Sequence, residues 1–196
     1  MTYDFFLNTF LITYFGVLLA CFIVYKIKKH NKYKFIFIAL LTLYILCVIK
    51  VVFLPLSVFD QDFINEYLKP EIDYVPYYQL VPLKSINMVL DSPLWYIQIL
   101  GNILLLLPLS VFIGFMLGER GRILKICLIG MMTSVIIEAV QLIIDLLTNY
   151  PNKVMDIDDF ILNSIGVIIG AICFNLLYQC SRLYKWVERV IVRIET

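Results

Sequence analysis

Carboxyl and amide side chains recur at helical spacing within strongly apolar stretches of the chain. One stretch carries four polar residues at intervals of three or four positions: Ser134, Glu138, Gln141 and Asp145. Another carries a run with the same spacing: Asp156, Asp159, Asn163, Gly166 and Gly170. Residues at these intervals lie on one face of an α-helix. Because a charge at the centre of a bilayer costs about 2.5–3.5 kcal/mol, such faces are expected to line the interior of a helix bundle.

The acidic start of the second polar face permits more than one interpretation. Asp156, with Asp159 three residues later, has the pattern of a helix N-cap with a reciprocal acid, which the helix dipole favours. The same carboxyl groups, together with Asp158, would also suit a polar ligand or a hard divalent cation. The single histidine, His30, lies elsewhere in a lysine-rich segment. We therefore predict no metal site and no cofactor, and leave capping and ligand binding both open.

Composition and the length of the apolar stretches indicate the fold class. The hydrophobic residues make up 62% of the 196-residue chain and the charged residues only 16%, against about 25% charged in soluble domains. Five apolar stretches reach the roughly 20 residues that cross a bilayer, namely 5–25, 35–58, 95–118, 123–147 and 160–180. The sequence therefore predicts an all-α, polytopic transmembrane helix bundle with five spans, forming a single domain over residues 1–196.

The distribution of lysine and arginine predicts the orientation of these spans. Twelve of the 16 basic residues lie in three segments, 26–34, 119–125 and 182–193, which fall on the same side of the membrane. The positive-inside rule then places the N-terminus outside and the C-terminus in the cytoplasm. The long loop 59–94 lies outside and is expected to contain a short interfacial helix around residues 63–68. The basic tail, 181–196, is expected to form a cytoplasmic amphipathic helix.

The polar residues converge in depth once the spans are oriented. At about 1.5 Å per residue, Glu138 and Lys50 each lie about 22 Å from the cytoplasmic start of their helices. Asn102 enters from outside and lies about 10 Å deep. These depths predict a polar pocket that opens to the outer leaflet, with Lys153 at its rim. Since an isolated buried charge is costly, Lys50 and Glu138 are expected to pair.

Several of these motifs together resemble the VanZ-like family over roughly residues 35–175. They are Asn-x5-Pro-Leu from Asn102, the Glu138/Gln141 pair, the block from Asp156 to Gly170, and the outer proline segment 80–86. Two departures are visible, because the family usually has Arg where this chain has Lys153 and Gly where it has Ser110. Arginine binds carboxylate or phosphate through two bonds, and lysine does not, so this difference bears on the ligand.

The resemblance implies a multi-pass protein of the bacterial plasma membrane and does not imply an enzyme. The family's namesake is associated with resistance to teicoplanin, a glycopeptide that carries an acyl chain. Antibiotic resistance is therefore one function to be expected of a member. The sequence has no catalytic triad, Cys–His pair, phosphate loop or dinucleotide fingerprint.

Taken together, these observations favour a protein whose outer-leaflet pocket binds or sequesters an amphiphile head group of the cell envelope. A lipid-linked wall intermediate and a lipoglycopeptide are the ligands considered, membrane lipids are the expected partners, and nothing indicates nucleic acid. The expected contacts are an acceptor and a donor (Glu138, Gln141), charges at the rim (Asp156, Asp158, Asp159, Lys153), amides (Asn102, Asn163) and Lys50 beside Glu138. Two alternatives stay open: an intramembrane metal-assisted hydrolase or transferase with Glu138 as general base, and a small transporter.

Overall fold

The protein is built mainly from long apolar helices. The computed structural model describes residues 2–3, 7–28, 32–69, 75–117 and 123–179. The helices are α1 (Leu7–Lys28), α2 (Lys32–Phe53), α3 (Gln61–Phe63, continued by a π-helical turn over Ile64–Leu68), α4 (Lys84–Leu90), α5 (Trp95–Leu117), α6 (Ile123–Thr148) and α7 (Ile157–Gln179). The strands are β1 (Thr2–Tyr3), β2 (Leu56–Ser57), β3 (Tyr78–Gln79) and β4 (Met155–Asp156).

Four of the predicted membrane spans are present as helices of sufficient length and hydropathy. Within the described residues these are Phe35–Phe53, Trp95–Leu117, Ile123–Thr148 and Ile157–Gln179. The predicted first span, 5–25, overlaps α1, in which the apolar helical run found is Leu11–Ala20. A fifth crossing and the orientation of both termini stay predictions. The tail that is predicted to be amphipathic lies outside the described residues.

The second span ends earlier than the apolar pattern predicts. The sequence pattern extends to residue 58, but α2 ends at Phe53. Proline at position 55 disfavours helical backbone at Leu54, so the chain leaves the helix there. The following strand β2 then pairs in antiparallel register with β1, Thr2 opposite Ser57 and Tyr3 opposite Leu56.

Helix α7 lies at the centre of the bundle, where it packs most extensively against α5 and next against α6. Glycines on α7 permit this close approach, because a Cβ at Gly166 would overlap the carbonyl oxygen of Ile103 on α5. A Cβ at Gly170 would likewise overlap the carbonyl oxygen of Leu107. The two glycines of the face that begins with Asp156 therefore lie on the surface that packs against α5.

Two clusters of buried apolar side chains also hold the bundle together. One joins α2, α5, α6 and α7 through four buried side chains, Val52, Leu106, Ile137 and Val167. The other joins α5, α6 and α7 through Ile113, Ile126, Ala171 and Phe174. The polar face of α6 lies beside the first cluster, since Ile137 precedes Glu138 directly.

The loop 59–94 contains the short helix that the sequence predicts and a second one that it does not. The predicted helix is α3 with its π-helical turn, in which Ile64 is buried while Phe63 and Tyr67 are exposed. The second is α4, which begins after Leu83, a residue with left-handed backbone (φ 64°). Strand β3 of this loop pairs in parallel with β4, Gln79 opposite Asp156, and so ties the loop to the start of α7.

Candidate functional site

A cavity of about 520 Å³ lies between the C-terminal end of α2, helices α5, α6 and α7, and the 152–154 segment. This volume falls within the roughly 300–1,000 Å³ that small-molecule sites occupy. Its walls are partly apolar, with Val52, Leu105 and Ile137 among the lining residues. Seven of the nine site residues predicted from the sequence line it: Asn102, Glu138, Gln141, Lys153, Asp156, Asp159 and Asn163.

The first turn of α7 is capped as the sequence predicts, but the reciprocal bond comes from another helix. The Asp158 backbone N–H donates to Asp156 Oδ1 at 2.8 Å, which is an N-cap interaction. In a capping box the acid at Asp159 would accept from the Asp156 N–H. That N–H instead donates to Glu138 Oε2 of α6 at 2.9 Å. Glu138, which is 6% exposed, therefore anchors the start of α7.

Because the Asp156 N–H binds Glu138, Asp159 makes a different contact within the bundle. The Asn102 side-chain N–H of α5 donates to Asp159 Oδ1. This bond joins α5 and α7 at the wall of the cavity, a short distance from the glycine contacts of the same two helices. It also fixes which atom of the Asn102 amide is the nitrogen, since only the nitrogen can donate.

Two buried amides of the cavity wall retain an acceptor without a partner. The Gln141 Nε2 donates to the carbonyl oxygen of Val52 at 3.3 Å, while Gln141 Oε1 is buried and has no hydrogen-bond partner among the described residues. Asn163 is 1% exposed, and its Oδ1 is likewise buried without a hydrogen-bond partner among the described residues. Since buried polar atoms are nearly always hydrogen-bonded, these two oxygens are candidates to accept a hydrogen bond from a bound molecule.

Asp158 and Lys50 do not line the cavity. Asp158 is 1% exposed and accepts three backbone N–H groups at the start of α4, from Leu83 at 2.6 Å, Ser85 at 2.8 Å and Ile86 at 3.1 Å. Its carboxylate thus fixes the outer proline segment against α7. Lys50 lies in the last turn of α2, and its pairing with Glu138 stays a prediction.

A second depression, an apolar groove of about 360 Å³, lies between α6 and the start of α7 and shares two lining residues with the cavity. Its lining is largely aliphatic and aromatic: Val135, Ala139, Leu142, Ile143, Met155, Ile157 and Phe160. Glu138 and Asp156 line both the groove and the polar cavity. The hydrogen-bonded pair formed by these two residues therefore separates a polar compartment from an apolar one.

The family model for VanZ/LLP1 matches residues 41–178, from α2 to the end of α7. The chain belongs to the VanZ/LLP1 family. With four helices able to cross a bilayer, this member is a membrane protein. No curated protein and no solved structure matches the chain.

The family-like motifs of the sequence contact one another in this VanZ/LLP1 member. The proline segment 80–86 binds the aspartate block through Asp158, and Asn102 of the third motif binds the same block through Asp159. Lys153, where the family usually has Arg, lines the cavity, and its backbone N–H donates to Asp145 Oδ1 at 3.3 Å.

The sequence analysis did not predict two polar residues that line the cavity. Gln98 precedes Asn102 by four positions, so helical spacing from Asn102 could have placed it on the cavity face. Asn152 lies in the turn after α6. Its side-chain oxygen accepts from the Ser57 backbone N–H, and its side-chain nitrogen donates to the Ser57 carbonyl oxygen. Its backbone N–H donates to Asp145 Oδ1 at 2.9 Å. No sequence signal links Asn152 to Ser57, because that contact forms only in the folded bundle.

Metal-binding geometry was also sought at the site. Within the ranges that the structure describes, no three His, Cys, Asp or Glu side chains come together as a group able to hold an ion. The carboxyl groups are instead engaged by backbone and amide N–H groups, as described for Glu138, Asp156 and Asp159.

Proposed function

We propose that this VanZ/LLP1 protein binds an amphiphile of the cell envelope at the outer leaflet of the bacterial plasma membrane. The head group occupies the polar cavity, and an acyl chain lies in the apolar groove. The outer-leaflet location is supported by the twelve basic residues that fall on the opposite side of the predicted spans. Binding could sequester the amphiphile or present it to other envelope proteins.

One observation carries this proposal. The polar cavity and the apolar groove have Glu138 and Asp156 in common, so the head group and the acyl chain of one amphiphile would lie on either side of this hydrogen-bonded pair. A purely polar solute would leave the groove empty, and a hydrocarbon would leave the buried acceptors of Gln141 and Asn163 without donors. The combination of compartments therefore favours an amphiphile over either simpler ligand.

Retention of an amphiphile by the purified protein tests this function. The full-length chain is extracted in mild detergent, and bound molecules are identified by native mass spectrometry. Ala139→Trp fills the groove, and Ile136→Trp is the matched control, because Ile136 is 56% exposed on the same helix and lines neither compartment. We expect the wild type and the Ile136 variant to retain an amphiphile that the Ala139 variant loses. Equal retention by all three proteins would contradict the proposal.

The family's association with teicoplanin suggests a lipoglycopeptide as one amphiphile of this kind. In cells that express the protein, we expect lower susceptibility to teicoplanin than in cells that carry the Ala139→Trp variant at equal membrane abundance. A glycopeptide without an acyl chain should show no such difference, since the groove would have no chain to bind. If expression of the protein changes susceptibility neither to teicoplanin nor to the glycopeptide without an acyl chain, antibiotic resistance is not a function of this member. The retention experiment alone then tests amphiphile binding.

A further inference from the structure

The hydrogen-bonding groups left over in the cavity are unequal in kind. Most amide donors of the wall are used within the chain. Asn102 donates to Asp159, Gln141 Nε2 donates to the Val52 carbonyl oxygen, and Asn152 Nδ2 donates to the Ser57 carbonyl oxygen at 3.1 Å. Among the lining amides that the structure describes, this leaves Gln98 Nε2 and Asn163 Nδ2 as donors for the acceptors of a ligand.

The acceptors, by contrast, remain. Gln141 Oε1 cannot exchange places with the nitrogen of its amide, because the nitrogen is fixed by its bond to the Val52 carbonyl. This oxygen and Asn163 Oδ1 are buried without a partner among the described atoms, and both residues line the cavity. A ligand that supplies N–H or O–H groups at these two positions would remove the cost of leaving them unpaired.

The charged groups of the lining add a preference for a cation. Glu138, Asp156 and Asp159 contribute three carboxyl groups, and Lys153 is the cationic side chain among the lining residues that the structure describes. Carboxylates attract a protonated amine, and hydrogen bonds between the two are about twice as strong as neutral ones. Charge and hydrogen-bonding capacity thus favour the same chemical group.

We infer that the head group bound in the cavity carries a protonated primary amine, a conclusion that rests on the proposed amphiphile-binding function. The amine donates to Gln141 Oε1 and Asn163 Oδ1 and lies beside the carboxyl group of Asp159. Lys153 receives an anionic group of the same head group. The ligand class is therefore an amino-bearing amphiphile with an adjacent anionic group.

Paired phospholipids separate the amine from the charge in the test. Short-chain phosphatidylethanolamine and phosphatidylcholine have the same phosphate and the same formal charge, but methyl groups replace all the N–H donors in the second. The full-length protein in detergent is titrated with each lipid, and the fraction carrying one lipid is read by native mass spectrometry. We expect phosphatidylethanolamine to bind at least about tenfold more tightly, because phosphatidylcholine has no N–H groups to donate to the buried acceptors.

Three variants assign the preference to the cavity. Asn163→Leu removes one acceptor, and Asp159→Asn removes a charge while keeping an oxygen for the Asn102 bond, so it serves if the first variant does not fold. Asn87→Leu is the matched control, because Asn87 is exposed on α4 and does not line the cavity. We expect both cavity variants to bind the two lipids equally and the Asn87 variant to keep the wild-type preference.

The outcomes distinguish this inference from the proposed function. If the two lipids bind equally and both are weakened by the cavity variants, the amine is refuted while amphiphile binding stands. Tighter binding of anionic phosphatidylglycerol than of phosphatidylethanolamine would refute the amine in the same way. If neither lipid responds to the cavity variants, amphiphile binding at this site fails. Displacement by glycerophosphoethanolamine at equal concentration would support the amine and overturn the role of the groove, because that molecule has no acyl chain.

Discussion

Asp158 is the residue whose replacement tests the described architecture most directly. Its carboxylate is 1% exposed and accepts the backbone N–H groups of Leu83, Ser85 and Ile86. The perturbation is a pair of substitutions at this position, Asp158→Ala and Asp158→Asn. The first removes all three acceptor contacts, and the second keeps one oxygen.

The magnitude follows from the number of bonds and their surroundings. A hydrogen bond to a charged group contributes about 1.5–3 kcal/mol. Leu83 is 54% exposed, so water can reach part of the freed backbone, and the lower end of that range applies. We expect Asp158→Ala to lower the free energy of unfolding by about 3–5 kcal/mol. Asp158→Asn can retain the contacts to Ser85 and Ile86 but turns an amide donor towards Leu83, so we expect a loss of about 1–3 kcal/mol.

The neighbouring cap is the matched control. Asp156 Oδ1 accepts the Asp158 backbone N–H at the N-cap of α7 and the Gln79 side-chain N–H at 3.2 Å. Asn keeps an oxygen for both and serves nearly as well as Asp at an N-cap, so Asp156→Asn should cost only a few tenths of a kcal/mol. Unfolding of the purified protein in detergent measures all three variants, and hydrogen exchange at the amides of Leu83, Ser85 and Ile86 gives a local readout. We expect these amides to be protected in the wild type and exposed in Asp158→Ala. Equal stability of Asp158→Asn and Asp156→Asn, or unprotected amides in the wild type, would refute the reasoning.

Two further predictions concern packing and orientation. Gly166→Ala should destabilise the protein by about 1–3 kcal/mol in the same unfolding assay, because the added Cβ would overlap the backbone of α5. Gly16→Ala is the control and should not destabilise it, since nothing lies within 4 Å of a Cβ at that position. An equal effect of both substitutions would contradict the contact between α5 and α7. In cells whose native cysteines are replaced, an impermeant thiol reagent should label a cysteine introduced at Asp62 and not one introduced at Asn31. Labelling at Asn31 alone would invert the predicted topology.

Helical periodicity predicted much of the cavity because the relevant information lies within single helices. Glu138 and Gln141 share a face by their spacing alone, and lipid excludes that face from the outside of the bundle. The same reasoning placed Asp159 and Asn163 on one face of α7. The structure brings these four residues to one cavity, although their role in binding a ligand stays a proposal.

The sequence could not predict which acid serves which contact, because that choice is made between distant segments. Asp158 and Asp159 are adjacent and chemically identical, yet one binds the backbone of the outer loop and the other binds Asn102 of α5. A helix turns about 100° per residue, so neighbouring side chains meet different elements. The capping pattern was correct for Asp156, but the reciprocal acceptor is Glu138 on another helix.

The proposed pairing of Lys50 with Glu138 gives the last prediction, and the contact between α2 and α6 makes it testable. Gln141 donates to the carbonyl oxygen of Val52, two residues beyond Lys50, so the last turn of α2 lies against the polar face of α6. If the two charges pair, Lys50→Met leaves Glu138 as an uncompensated buried charge, and Glu138→Gln removes the carboxylate from half-buried Lys50. We expect the double variant to lose less stability than the sum of the two single losses. The difference, which is the coupling energy, should be about 0.5–3 kcal/mol in detergent unfolding. Glu138→Gln retains an acceptor for the Asp156 N–H, so loss of that bond does not account for the coupling. Effects that add within about 0.3–0.5 kcal/mol would show that the two charges are independent, and Lys50 would then have no part in holding Glu138 at the wall of the cavity.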